Sequence, residues 1–175
     1  MMKNIAALAA SALIAVGGMA FAHDGPHIND AQIAHIAYTA GVIDAEAARQ
    51  ALAKSKNKEV RAFAETMVRD HEAVNGQALA LVKKLGVAPE ANATSTALGA
   101  EAKAIAHRLA SLDAGAFDRA YVRNEIAFHA KVNGALATSL IPGAKNAELK
   151  SLLETGLALF KAHQMHAEHL SARLR

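Results

Sequence analysis

Apolar residues recur at every third or fourth position through four long stretches of this chain, and that spacing constrains the fold more than any other feature. A helix turns by ~100° per residue, so this period draws one apolar stripe down one side of each stretch. Such stripes are stable only when buried against one another. No strand-like alternation competes with the pattern, and no internal repeat stands out. Proline occurs only as Pro26, Pro89 and Pro142, each where a connection fits.

The first helical stretch covers about residues 30–54, with Asn29 or Asp30 as N-cap candidates. Ser55-Lys56-Asn57-Lys58 turns the chain, and a second stretch runs to about Leu85, where Gly86 stops it. Residues 87–96 read as a loop and 97–112 as a short connecting helix. A third long stretch spans about 115–140, ended by Pro142-Gly143, and a fourth runs from Asn146 to the last residue. Tight first and last connections imply two antiparallel hairpins joined by one longer crossover. The expected fold is all-α: an antiparallel four-helix bundle over residues 30–175, with a short helix in its long central connection.

The segment MMKNIAALAASALIAVGGMAFAHDGPH reads as a secretory signal. Lys3 supplies the positive end, Ile5 to Val16 the apolar run, and Ala20-Phe21-Ala22 the small-x-small cleavage pattern. The apolar run is short for a membrane span and ends in Gly17-Gly18. Residues 1–22 are therefore expected to be removed. That leaves 153 residues (175 minus 22), a tail at 23–29, a periplasmic or secreted location, and no membrane span.

Composition narrows the chemistry. With no cysteine there is no disulfide framework, thiolate metal site or thiol nucleophile. Abundant Ala and absent Trp favour closely packed helices. The formal charge is +3 without a Lys/Arg block or interleaved aromatics, so no nucleic-acid partner is expected. Ser and Thr form no persuasive triad, and no phosphate-cradling glycine loop is present.

Polar residues interrupt all four stripes. On the second helix, Val60, Phe63, Ala64, Met67, Val74, Ala78, Leu81, Val82 and Leu85 define the apolar face, and His71 lies near its centre. Asp70 and Glu72 point well away from it. On the fourth, His163 lies on the midline of Leu149, Leu152, Leu153, Gly156, Phe160, Ala167 and Leu170. On the third, Phe117, Tyr121, Phe128, Val132 and Leu136 surround Glu125, with His129 toward the edge. On the first, Ile33, Ile36, Ala40, Ile43 and Ala47 place Asp44 inward and Glu46 on the flank.

Buried polar groups without partners cost roughly 2–7 kcal/mol, so these residues must satisfy one another, hold water or share a cation. Heights agree in part. Across the last turn His163 falls level with about Arg123, ~3 Å along the axis from Glu125, whereas His129 falls ~9 Å away. Across the first turn His71 falls level with Ala40, about one helical turn from Asp44.

The stretches NKEVRAFAETMVRDHEAVN and FDRAYVRNEIAFH resemble the DUF4142 family of exported bacterial proteins of ferritin-like helical architecture. The resemblance covers about residues 29–170, and its most specific part is FAxxMVxDHxxxN. It implies that the family's acidic position on the first helix falls on Asp44, where Glu is expected. The family's histidines fall on His71, His129 and His163. Ferritin-like di-iron proteins use carboxylate-x-x-His pairs. No such pair lies on the inward faces here, and Glu125 and His129 are four apart, so di-iron oxidase chemistry is not carried over.

Two readings of the inward residues remain open. Asp44, His71, Glu125, His129 and His163 form a mononuclear or loosely dinuclear site for Fe, Mn, Zn or Cu(II), or they form a buried hydrogen-bond network that includes Asn75. The first suits metal or stress handling, or a redox enzyme with an open coordination position. The second suits an interaction protein of the envelope. His163, His166 and His169, with Met165, form a second cluster that is either a surface chelate or a polar flank. Cleavage after Ala22 sets the His23 amine and imidazole beside His27, which is either a Cu(II) chelate or a plain tail.

Overall fold

A computed structural model describes residues 28–174 of the chain. The expected signal segment and the His23/His27 pair lie outside the described residues. Within them the chain is helical, with no strand. Helix α1 is Asp30–Lys54, α2 Lys58–Lys84, α3 Ala93–Ala110 and α4 Ala114–Ala135. A π-helical turn at Leu136–Leu140 leads into the single turn α5, Ile141–Gly143, and α6 is Ala147–Arg173.

Side chains cap most of these starts. Asn29 and Gln32 form a reciprocal capping box on α1, and Asn92 and Ser95 form another on α3. Asn57, Asp113 and Asn146 accept from backbone N–H groups at the starts of α2, α4 and α6. After α2, Gly86 takes φ +64°, a left-handed conformation that a side chain would oppose.

Two boundaries differ from expectation. The connecting helix begins at Ala93, not residue 97, because the Asn92/Ser95 box nucleates it earlier. The third long helix does not end at Leu140. Its Leu136–Leu140 turn widens to π geometry, with Ile141 N–H donating to the Leu136 carbonyl, and the chain stays helical to Gly143. Pro142 follows the widened π turn directly, where the i→i−4 ladder that an interior proline would break is already interrupted.

Helix α1 packs along α2 and α4 along α6, while α2 also meets α6 and α1 meets α4. Helix α3 lies over α1, with a smaller contact to α4. Large apolar side chains separate into two clusters. One gathers Phe63, Met67, Leu109, Phe117, Tyr121 and Leu170. The other gathers Ile33, Ile36, Leu136, Leu140, Leu149 and Phe160. Each fully buried aliphatic or Phe side chain contributes about 1.5–3 kcal/mol. Along α1, α2, α4 and α6 alike, the inward polar residues fall between these clusters.

Candidate metal centre

Four helices supply the polar layer: Asp44 from α1, His71 from α2, Glu125 and His129 from α4, His163 from α6. All five are at most 3% exposed. The structure brings them together. Asp44 Oδ1 lies 3.5 Å from His71 Nε2, and its Oδ2 lies 3.6 Å from His129 Nε2. Glu125 Oε2 is 3.8 Å from His129 Nδ1. Ring centroids of His71, His129 and His163 are 5.3–5.7 Å apart. Phe160 stacks on His71 at 4.6 Å and closes the layer on the side of the second apolar cluster.

Two overlapping sets of donors result. One nitrogen each from His71, His129 and His163 lie within 4.8 Å of one another, as do donors from Asp44, Glu125 and His129. His129 belongs to both. This corrects the expectation that His129 lies ~9 Å from the level of His163. The third helix extends past Leu140, which moves the midpoint of the turn by about two residues. His163 then stands opposite the interval between Glu125 and His129. The inward face of α4 is also rotated from the expected stripe. Asp118, Val122, His129 and Asn133 are buried on it, whereas Phe128 is half-buried and lines a cavity of about 400 Å³ between α1, α3 and α4.

Hydrogen bonds fix which ring nitrogens face inward. His129 Nδ1–H donates to the Glu125 carbonyl at 3.0 Å, leaving the Nε2 lone pair toward Asp44. His163 Nε2–H donates to Asp70 Oδ2 at 3.0 Å, leaving Nδ1 buried and without a protein partner. Asp70 therefore does not point away from the site. One residue before His71, it reaches sideways from α2 to α6, and its other oxygen accepts from Arg69 at 2.8 Å. Its bearing on α2 gave no sign of this, because the partner comes from the neighbouring helix and not from the core.

Seven atoms of the cluster are buried without a hydrogen-bond partner among the described residues. They are both Asp44 oxygens, both His71 nitrogens, Glu125 Oε2, His129 Nε2 and His163 Nδ1. Burial pushes the Asp44 carboxyl up to about 7, against the opposing effect of Glu125. Burial, together with the Asp44 charge, raises Glu125 well above the usual carboxyl range. Burial and the neighbouring imidazoles lower His71 to about 3. Burial lowers His129 to about 4 against its backbone bond to Glu125, and lowers His163 despite Asp70. The imidazoles are thus neutral at pH 7 with lone pairs available, the state a metal requires.

Tyr121, one turn before Glu125, adds a buried hydroxyl without a partner. Burial and the charges of Glu125 and Asp44 raise its pKa. Its place on the apolar stripe concealed this; the four-residue spacing from Glu125 was the available signal. Asn75 joins no network with the histidines: its amide lies against Gly41 of α1. His166 and His169 are exposed and join neither donor set, and His166 meets the edge of Phe63 at 5.1 Å.

Fold and site together define a chain, helical among the described residues, with three imidazoles and two carboxylates converging in a buried interior layer. The chain belongs to the DUF4142 family: the model of that family, described as a domain of unknown function, matches residues 18–170. No curated protein and no solved structure matches the chain.

Proposed function

We propose that Asp44, His71, Glu125, His129 and His163 bind a divalent transition-metal ion. The surrounding fold is read as an antiparallel four-helix bundle of ferritin-like type, built from α1, α2, α4 and α6. The observation that carries this reading is the set of seven buried donor atoms without protein partners. A hydrogen-bond network would have satisfied them; a cation takes one lone-pair nitrogen from each imidazole together with carboxylate oxygens, and offsets the cost of two buried carboxylates. Nitrogen and oxygen donors without thiolate suit Fe, Mn, Zn or Cu(II).

The role that fits is metal binding or handling, including under stress, in a protein exported after loss of residues 1–22 to a periplasmic or secreted location. Ligands with at most 3% exposure favour holding an ion over admitting a substrate. Elemental analysis of protein isolated from its native compartment tests the reading. Retained metal that His71→Ala releases supports it. Metal-free protein without a thermal shift from any divalent transition ion favours the alternative, an envelope interaction protein with a buried polar layer.

A further inference from the structure

Asp70 sits outside the donor sets yet holds one of their members, and its geometry is specific. Oδ2 accepts from His163 Nε2 at 3.0 Å, while Oδ1 accepts from Arg69 Nε at 2.8 Å. The Asp70 side chain is 17% exposed and the His163 side chain 4%, so the pair joins the surface to the interior layer. The other nitrogen, His163 Nδ1, is buried and lacks a partner among the described residues. An imidazole has two nitrogens, and neutral histidine protonates only one. A carboxylate on Nε2–H therefore decides that Nδ1 carries the free lone pair.

We propose that Asp70 is a positioning residue that selects the Nε2–H tautomer of His163 and aims Nδ1 into the site as a ligand atom. The outer carboxylate of a carboxylate–histidine–metal unit acts in this way, fixing ring orientation and raising ligand basicity. Removing such a partner typically weakens metal binding 10–100-fold. In this chain the partner comes from the neighbouring helix, so the same bond pins α6 to α2 beside the site. Arg69 occupies the other carboxylate oxygen from the surface side.

The assignment of a tautomer stands without metal, whereas its effect on affinity rests on the metal reading above. The experiment separates the two. Full-length protein, Asp70→Ala and Asp70→Glu are prepared metal-free, and long-range ¹H–¹⁵N NMR identifies the protonated nitrogen of His163. Zn²⁺ affinity is then measured by competition with a chelator.

The expected result is Nε2–H in the parent and in Asp70→Glu. Asp70→Ala loses the single tautomer, keeps its helical circular dichroism and binds Zn²⁺ 10–100-fold more weakly. Nδ1–H in the parent, or an unchanged Nε2–H tautomer in Asp70→Ala, overturns the inference. So does equal Zn²⁺ affinity in parent and Asp70→Ala. Parent protein with the Nε2–H tautomer but no Zn²⁺ binding overturns the ligand role and the metal reading, and leaves Asp70 with the tautomer alone.

Discussion

At Asp44, metal affinity and metal-free stability pull in opposite directions. A carboxyl whose pKa burial raises to about 7 is ionised at pH 8 at a cost to the fold. Asp44→Asn removes that charge with little change of shape. Metal-free Asp44→Asn is expected to be more stable than the parent at pH 8 by roughly 1–3 kcal/mol, the scale of an uncompensated buried polar group. In the presence of the ion the same variant is expected to be less stable. Thermal melts with and without metal check both signs, and a variant destabilised in both states contradicts the account.

Acid acts on the same residues in two ways. In metal-free protein His71 and His129 protonate at about 3 and 4, and His163 is also lowered, against 6.5 for a free imidazole. Below pH 6.5 the unfolded chain takes up these protons first, so the three imidazoles destabilise the fold as pH falls. Asp44 and Glu125 are raised from 3.8 and 4.5, so the folded chain holds their protons first and they act oppositely. Between pH 4.5 and 6.5 the lowered imidazoles and the raised carboxyls therefore offset one another, so stability is expected to change less with pH than either set alone would make it. Denaturant titrations across that range measure the slope. Metal binding displaces protons from the carboxyls and not from the already neutral imidazoles, so affinity is expected to weaken as pH falls below about 7. Calorimetry in buffers of different ionisation enthalpy counts those protons.

Between helices, what was legible followed from period, and what was not followed from neighbours. Asp44, His71, Glu125 and His163 each interrupt the middle of an apolar stripe, so bearing alone directs them inward. On α4, Phe128 pulled the expected stripe toward the flank that faces α3, and His129 was left at its edge. No pattern within α4 reveals that α3 covers that flank. Height along α4 and α6 depended on where the turn between them is centred, and the π-helical Leu136–Leu140 moved it. Pro142-Gly143 reads as a stop that lies beyond the helix; it ends the helix from within its last turn. Asp70 was missed because its partner belongs to another helix.

The close approach of α1 and α2 rests on Gly41. A Cβ there would stand 2.3 Å from Asn75 Oδ1. Gly41→Ala is expected to cost about 1 kcal/mol through this overlap, and adding Asn75→Ala to recover much of it. Chemical denaturation of the two single variants and the double variant measures the coupling. Additive costs contradict the contact.

On the scale of the whole molecule, the polar layer lies between two apolar clusters that secure the helices on either side of it. The side chains of the layer are thus held in place by the fold, and an ion bound as proposed would join four helices at one point. An ion that binds only the folded state contributes about 2.7 kcal/mol at a hundredfold excess over Kd. For a chain of this length that raises the melting temperature by about 5–10 °C. The expected export signal is checked separately by the intact mass of protein from the native compartment, which should begin at His23.

The convergence of five ionisable side chains on one cation is tested most directly by elemental analysis of the purified protein beside its His71→Ala variant. About one transition-metal ion per chain in the parent, lost in the variant while both remain helical, is the predicted result. A parent protein that carries no metal, and takes none up when each divalent transition ion is offered, would contradict it.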